Sequence, residues 1–332
     1  MGDLSRVAVV GVGRMGRLHA GVLADLPEVE LVGVVDADAA AARRVAGDLG
    51  VEAIDWTELP SRTDVHGWVV ATPTATHAAV VESGLAAGAD ILCEKPLTLD
   101  RQTSKALASM ADASGRILQV GFWRRSSPPW SAAKRILDDG IIGRPLLLRL
   151  SQWDADPPPP TSIDPSVSGG LAIDCGVHEF DLAEWLTGKR VIEVQATNLP
   201  VVANEIGLAG DVDNLLAVLH LQDGVAAMVD LSRNCRYGDD VRTEILGEEG
   251  AIFVDMFPTS RTRLATAAGV EVVTEDDDAF GNGLAEQARV FAGRIRGESG
   301  DHPDAASSIR AVTIGRAVQR AAATGGTVAI PS

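Results

Sequence analysis

Arg6-Val7-Ala8-Val9-Val10-Gly11-Val12-Gly13-Arg14-Met15-Gly16 is the stretch from which the rest of the chain can be read. A valine-rich run reads as a short buried strand and passes directly into a G-x-G-x-x-G turn. A helix-forming run from Met15 to Leu26 follows, then a second apolar strand, Val29 to Val35, ending in Asp36, twenty residues past Gly16. A lone glycine motif is a weak signal. Strand, turn, helix and strand with a terminal carboxylate form the complete βαβ context that dinucleotide binding demands. Gly11 permits the tight turn, Gly13 lets the backbone approach a pyrophosphate, and Gly16 lets helix pack on strand. Backbone N–H groups of the turn, through Arg14, Met15 and Gly16, would bind the phosphates. Asp36 would accept hydrogen bonds from the adenosine ribose and repel a 2′-phosphate, which favours NAD over NADP.

The alternation of strand and helix continues. Gly67 to Ala71 reads as a strand ending in Thr72-Pro73-Thr74-Ala75-Thr76-His77, with a helix over 78–87. Ala89 to Cys93 is the next strand, ending in Glu94-Lys95-Pro96, followed by a helix from Asp100 to Ser114 and the strand Ile117 to Gly121. This pattern predicts an α/β fold, an N-terminal Rossmann domain with a doubly wound parallel sheet. Ligands in such sheets sit beyond the carboxyl ends of strands, so Ala71, Thr72, Pro73, Thr74, His77, Glu94 and Lys95 are candidates for cofactor contacts. Singly, Lys95 reads as a solvated charge and His77 as a helix-start residue. A lysine between a carboxylate and a proline at that edge is nevertheless well placed to meet a nicotinamide and its substrate.

The chain has 332 residues, 46% of them hydrophobic, enough for two cores. Acidic residues outnumber basic ones by 46 to 29, and the net charge of −17 opposes binding to nucleic acid or anionic membranes. No run approaches the roughly 18 to 20 apolar residues of a membrane helix, and the N-terminus lacks signal-peptide order, so a cytoplasmic protein is expected. Cys93, Cys175 and Cys235 lie far apart without C-x-x-C spacing, which fits reduced thiols. No metal is expected, since His178-Glu179 lacks the second histidine of H-E-x-x-H.

In the second half one stretch stands out, Gly169 to Gly188, whose apolar residues recur at helical spacing and predict a single helix. Asp174 and His178, four apart, would then leave one face a turn apart, where a carboxylate can orient an imidazole. The same spacing also describes a surface ion pair on an amphipathic helix. Pro145 to Trp153, Val191 to Leu199, Asp211 to Leu221, Val225 to Arg233, Val241 to Leu246 and Ala251 to Asp255 read as strands of a separate α+β domain. Helices over 283–296 and 303–323 close the chain, and Glu275-Asp276-Asp277-Asp278 reads as a solvated loop.

Taken together, Gly11 to Ala20, Ala71 to His77, Cys93 to Leu97 and the Asp174/His178 stretch resemble, in order and across most of the chain, the signatures of the Gfo/Idh/MocA family of NAD(P)-dependent oxidoreductases, with inositol dehydrogenases nearest in pattern. The resemblance implies a Rossmann domain over 1–122 and a second domain over 123–332 with a large, open, mostly antiparallel sheet. A C-terminal segment would be free to pack back on the first domain, and a substrate cleft would lie between the two. It implies that Lys95 reaches both cofactor and substrate, with the peptide to Pro96 often cis. Trp123 and Arg124 resemble positions near the nicotinamide and substrate, although Arg124 reads equally well as a structural ion pair. Inositol dehydrogenases carry His-x-Asn-Pro where this chain has Asp154, Asp156 and Pro157, a departure that bears on which hydroxyl pattern is preferred. The run Pro157 to Pro160 reads as a stiff loop. Tyr237 matches a tyrosine near the substrate and also suits a loop anchor.

The expected reaction is oxidation of a secondary hydroxyl of a cyclic polyol or sugar, whether inositol-like, aldose or anhydrosugar, to a ketone with NAD as cofactor. Lys95, Asp174 and His178 are the candidate catalytic residues, and either Lys95 or His178 could be the immediate base. Lys95, Trp123, Arg124, Asp154, Asp174, His178 and Tyr237 are candidates for substrate contact, and Trp123 also for the cofactor. Two rival readings are an NAD-dependent glycosidase acting by transient oxidation and a non-catalytic NAD- or sugar-binding regulator. An open sheet face needs covering, which predicts a homodimer or homotetramer.

Overall fold

A computed structural model of the chain describes residues 4–155, 163–257 and 259–331. The chain divides into two compact units, one of residues 1–123 with 281–309 and the other of residues 124–280 with 310–332.

The first unit holds, among its described residues, six parallel strands: β1 (Ser5–Val10), β2 (Val29–Val35), β3 (Glu52–Ala53), β4 (Gly67–Val70), β5 (Asp90–Cys93) and β6 (Leu118–Val120). Their order is β3-β2-β1-β4-β5-β6, so the chain winds one way from β1 to β3 and the other from β4 to β6, as a doubly wound fold requires. The connecting helices include α1 (Arg14–Asp25), α2 (Ala39–Leu49), α3 (Thr74–Ala86) and α4 (Arg101–Ser114). Val7, Val9, Leu31, Val34, Val69 and Leu92 fill the core beneath α1, and Phe291 and Ala292 join it from the C-terminal part of the unit. Helix α3 begins at Thr74, four residues earlier than the sequence suggested. Pro73 occupies its N-cap position, and Thr76 Oγ1 donates to the Pro73 carbonyl at 2.7 Å, which draws the threonine run into the first turn.

In the second unit α5 (Pro128–Asp138) begins on the proline pair expected near the domain boundary. Proline suits a helix start because its missing N–H would have no partner there. Beyond it lie β7 (Pro145–Trp153), α6 (Pro165–Ser168), α7 (Leu171–Asp174), α8 (Val177–Thr187), β8 (Val191–Asn198), α9 (Asn204–Leu208), β9 (Asn214–Leu221), β10 (Ala226–Ser232), β11 (Asp240–Gly247), β12 (Gly250–Asp255), β13 (Ser260–Thr266) and β14 (Gly269–Asp276). Helices α10 (Ala279–Ile295) and α11 (Ala305–Thr324) and strand β15 (Val328–Ala329) complete the chain. Nine strands of the described residues form one sheet in the order β14-β13-β12-β11-β7-β10-β9-β8-β15, antiparallel except for the β7–β10 pair.

Period-two burial gives this sheet a packed face and an open one. Leu148, Leu150, Leu219, Val229 and Ile245 are buried, while Leu147, Val218, Met228 and Leu246 alternate with them. Two strands, β13 and β14, had no counterpart in the sequence reading, and the acidic run assigned to a loop begins inside β14, where Glu275 and Asp276 end the edge strand. The expected strand from Asp211 starts later, at Asn214.

The Gly169 to Gly188 stretch is not one helix. Cys175 N and Gly176 N both donate to Leu171 O, at 3.1 and 3.2 Å, and His178 N donates to Cys175 O. The ladder therefore slips from the regular i→i−4 step at Gly176, where a Cβ would lie 2.5 Å from Ala172 O and 2.9 Å from the Phe180 ring. Asp174 ends α7 and His178 stands in the first turn of α8.

Candidate functional site

Adjacent parallel strands β1, β4 and β5 release their turns side by side at the carboxyl edge of the first sheet. The turn after β1 is built by contact. Gly11 has φ +91°, and a Cβ there would meet Ala71 and Thr72 backbone at 2.8 Å; a Cβ on Gly16 would lie 1.8 Å from Gly11 O. A Cβ on Gly13 would meet nothing within 4 Å. Gly13 is the N-cap of α1 and supplies no side-chain acceptor, and the first turn through Arg14 and Met15 carries no acidic residue. An uncapped helix N-terminus beside an open glycine presents N–H groups and a positive dipole end to an anion, and so fits the pyrophosphate of a dinucleotide. Asp36, just past β2, accepts from Val12 N at 2.7 Å and Asp38 N at 2.8 Å, which fixes the carboxylate beside the glycine turn.

Thr72, Pro73 and Thr74 follow β4, and the hydroxyl oxygens of Thr72 and Thr76 lie 2.9 Å apart. His77 is buried, with its ring nitrogens 2.8 Å from Thr72 O and 3.0 Å from Pro96 O. Burial pushes its imidazole below the ordinary value against the pull of both carbonyls, and the ring braces the turn after β4 to the turn after β5. Glu94 is buried too, with Oε1 2.7 Å from His19 Nε2 and Oε2 accepting from Lys95 N at 3.1 Å. Burial alone would raise the Glu94 carboxyl, but the His19 hydrogen bond and charge, together with Lys95, outweigh it and hold the group below its ordinary value. The Lys95–Pro96 peptide is cis. Trp123, the last residue before the second unit, is buried. His19 was not singled out from the sequence; its signal was a position three past Gly16, on the buried face of α1.

In the second unit Arg124 is buried and binds Glu179 Oε1 and, at 2.9 Å, Gln152 Oε1. Its guanidinium also lies 5.5 Å from the Trp130 ring centre. Burial pushes the Glu179 carboxyl above its ordinary value, with Arg124 opposing the shift. Gln152 turns its amide to Asp154, donating at 3.0 and 3.3 Å, and Cys175 Sγ donates to the same carboxylate at 3.1 Å. Asp156 and Pro157, with the rest of the proline run, lie outside the described residues.

Asp174 accepts from Arg233 Nη2 at 3.0 Å, and Arg233 also pairs with Asp211 at 3.3 Å. His178 is buried in the first turn of α8. Tyr237 is exposed, donates to Asp240 Oδ2 at 2.9 Å and packs at 5.2 Å against Phe257. Gln152, Glu179, Asp211 and Arg233 were missed by sequence reasoning. Apart from Asp154, two positions from Gln152, their side-chain hydrogen-bond partners lie 22 to 59 positions away, and a charged residue directly after an alternating strand was the one sign that Arg233 gave. Among the described residues no helix is long and apolar enough to cross a membrane, and no His/Cys/Asp/Glu group is arranged to hold a metal ion.

The model of an oxidoreductase family with an NAD-binding Rossmann fold, GFO_IDH_MocA, matches residues 5–122, and that of the GFO/IDH/MocA C-terminal domain matches residues 130–253. The scyllo-inositol 2-dehydrogenase (NAD(+)) of Bacillus subtilis (strain 168) is 33% identical over 298 residues, covering 88% of this chain and 86% of that protein. The inositol 2-dehydrogenase of Rhizobium meliloti (strain 1021) is 34% identical, covering 80% of this chain and 79% of that one. A solved structure of a myo-inositol dehydrogenase from Corynebacterium glutamicum ATCC 13032 superposes with a TM-score of 0.86 at 29% identity, over 99% of both chains.

Proposed function

The chain belongs to the Gfo/Idh/MocA family of oxidoreductases, and from that premise we propose that it is an NAD-dependent dehydrogenase oxidising one secondary hydroxyl of a cyclic polyol to the ketone. The observation that carries this reading is the edge of the first sheet, where an uncapped helix N-terminus, a ribose-ready carboxylate and the Glu94-Lys95-Pro96 turn follow strands of one sheet. Inositol dehydrogenases that align with most of the chain support the substrate class.

NAD, when bound, supplies the acceptor for the hydride that leaves the carbinol carbon. His178 takes the hydroxyl proton, and the Asp174 carboxylate stabilises the charged imidazole. Lys95 donates to the substrate oxygen and stabilises negative charge as it develops. Arg124, spent on Glu179 and Gln152, serves as a brace, whereas Asp154 turns a fixed carboxylate toward hydroxyl donors. Asp36 selects NAD over NADP. The open sheet face, which carries Leu147, Leu216, Val218, Met228, Leu246 and Phe253, is covered by a second copy of the chain in a homodimer or homotetramer.

The test is NADH formation from a panel of inositols, aldoses and anhydrosugars, with NAD and NADP in parallel, on wild type, His178→Ala and Lys95→Ala. Turnover of an inositol, lost by about 100-fold or more in each variant while NAD still binds, is the expected result. A panel with no NADH formed on NAD-loaded protein, or near-normal rates in either variant, would defeat it.

A further inference from the structure

Helix α7 is one turn long, and both of its ends are tied to the same guanidinium. At its start Leu171 N donates to the two oxygens of Asp211, at 3.3 and 3.0 Å. Gly170, with φ +74°, makes this possible, because a Cβ there would lie 2.6 Å from Asp211 Oδ1. At its end stands Asp174, held by Arg233 Nη2 at 3.0 Å, while Arg233 Nη1 holds Asp211 at 3.3 Å. Arg233 itself is fixed from the sheet, since it follows β10 directly and its backbone N–H donates to Asp213 O at 2.9 Å.

The distribution of exposure is uneven in a telling way. The side chains of Arg233 and Asp211 are 2% and 8% exposed, whereas that of Asp174 is 35% exposed. A guanidinium taken out of water is costly, and an apolar side chain of similar volume would fill the same space without that cost. Two carboxylates on one rigid fork offset the cost and fix geometry as well, because the arms of the guanidinium cannot rotate independently. Only one of those carboxylates still faces outward.

We propose that Arg233 is a positioning residue for the reaction, holding the Asp174 carboxylate in place by pinning both ends of the helical turn that carries it. The inference rests on the function proposed above, in which Asp174 supports the proton acceptor. A single turn has too few internal hydrogen bonds to hold its own shape, so the pin replaces what a longer helix would supply. A residue that acts through Asp174 has no effect once Asp174 can no longer do its work.

A double-mutant cycle on the full-length protein, read by kcat and by the KM for NAD, tests this. Arg233→Met in the wild-type background is expected to lower kcat about 10- to 100-fold with the KM for NAD changed by no more than about twofold. In an Asp174→Asn background the same substitution should lower kcat by no more than about a further twofold. Equal losses in both backgrounds would make Arg233 a purely structural residue and overturn the proposal. If Arg233→Met does not fold, Arg233→Lys, which keeps the charge but not the fork, is read in the same two backgrounds by the same criterion. Near-normal kcat in Asp174→Asn alone would instead remove the functional reading itself, and the inference with it.

Discussion

The carboxylate of Asp36 accepts the backbone N–H of Val12 at 2.7 Å, so the end of β2 is locked to the middle of the glycine turn after β1. One side chain thereby sets the shape of the turn and presents charge beside it. Asp36→Ser should lower kcat/KM with NAD at least about tenfold, by loss of charge-assisted hydrogen bonds, and raise the ratio of NADP to NAD use. Steady-state kinetics with both cofactors checks this; an unchanged ratio would separate Asp36 from cofactor choice.

Gly13 and Gly16 occupy the same motif and should fail differently. Gly13→Ala adds a methyl group to open space, so the unliganded protein should keep its Tm within a few degrees while NAD affinity falls at least about tenfold. Gly16→Ala places a Cβ 1.8 Å from Gly11 O and should lower Tm sharply or abolish folding. Thermal melts with and without NAD distinguish the two outcomes.

Glu94 ties stability to pH. Folding holds its carboxyl below the ordinary value near 4.5, so the associated stabilisation is fully present above that pH and disappears as pH falls through the depressed folded value. Glu94→Gln should cost about 3 kcal/mol at neutral pH by breaking a buried pair, with the gap from wild type narrowing below about pH 4.5. Urea unfolding at pH 7, 5 and 4 measures it; a gap that widens on acidification would reverse the assignment.

Arg124 and Glu179 are buried together, and removing one partner leaves the other uncompensated. Arg124→Met alone should destabilise by about 3 to 5 kcal/mol, and the Arg124→Met/Glu179→Met pair should recover much of that loss. Chemical denaturation of the three proteins reads the coupling directly. If the single variant unfolds like wild type while substrate KM rises, Arg124 belongs to substrate binding and not to the scaffold.

The open sheet face offers a surface test. Met228→Glu, placed where β10 pairs with Val218 of β9, should convert the proposed homo-oligomer to monomers with the monomer fold retained. Light scattering at several protein concentrations gives the answer, and an unchanged mass would move the interface elsewhere.

Sequence alone determined the parts of this protein whose cause is local. The β1 to β2 unit, the glycine turn, the carboxylate at Asp36, the helices α4 and α11 to within a few residues, and the full length of β7 follow from period, turn chemistry and propensity over neighbouring residues. Local signals also ran out in recognisable places. The helix read from Gly169 to Gly188 breaks at Gly176, whose N–H donates to Leu171 O out of the regular step, in a place too tight for a Cβ, and edge strand β14 is exposed on both faces, so it shows no alternation to read.

Only tertiary structure decided which charge answers which. Arg233 reaches Asp174 across 59 positions and Arg124 reaches Glu179 across 55, while His77 joins Thr72 to Pro96 because β4 and β5 are neighbours in the sheet. A side chain's ion-pair partner is set by strand order, register and the burial that makes an unpaired charge costly. None of these is encoded within a few residues of the side chain itself.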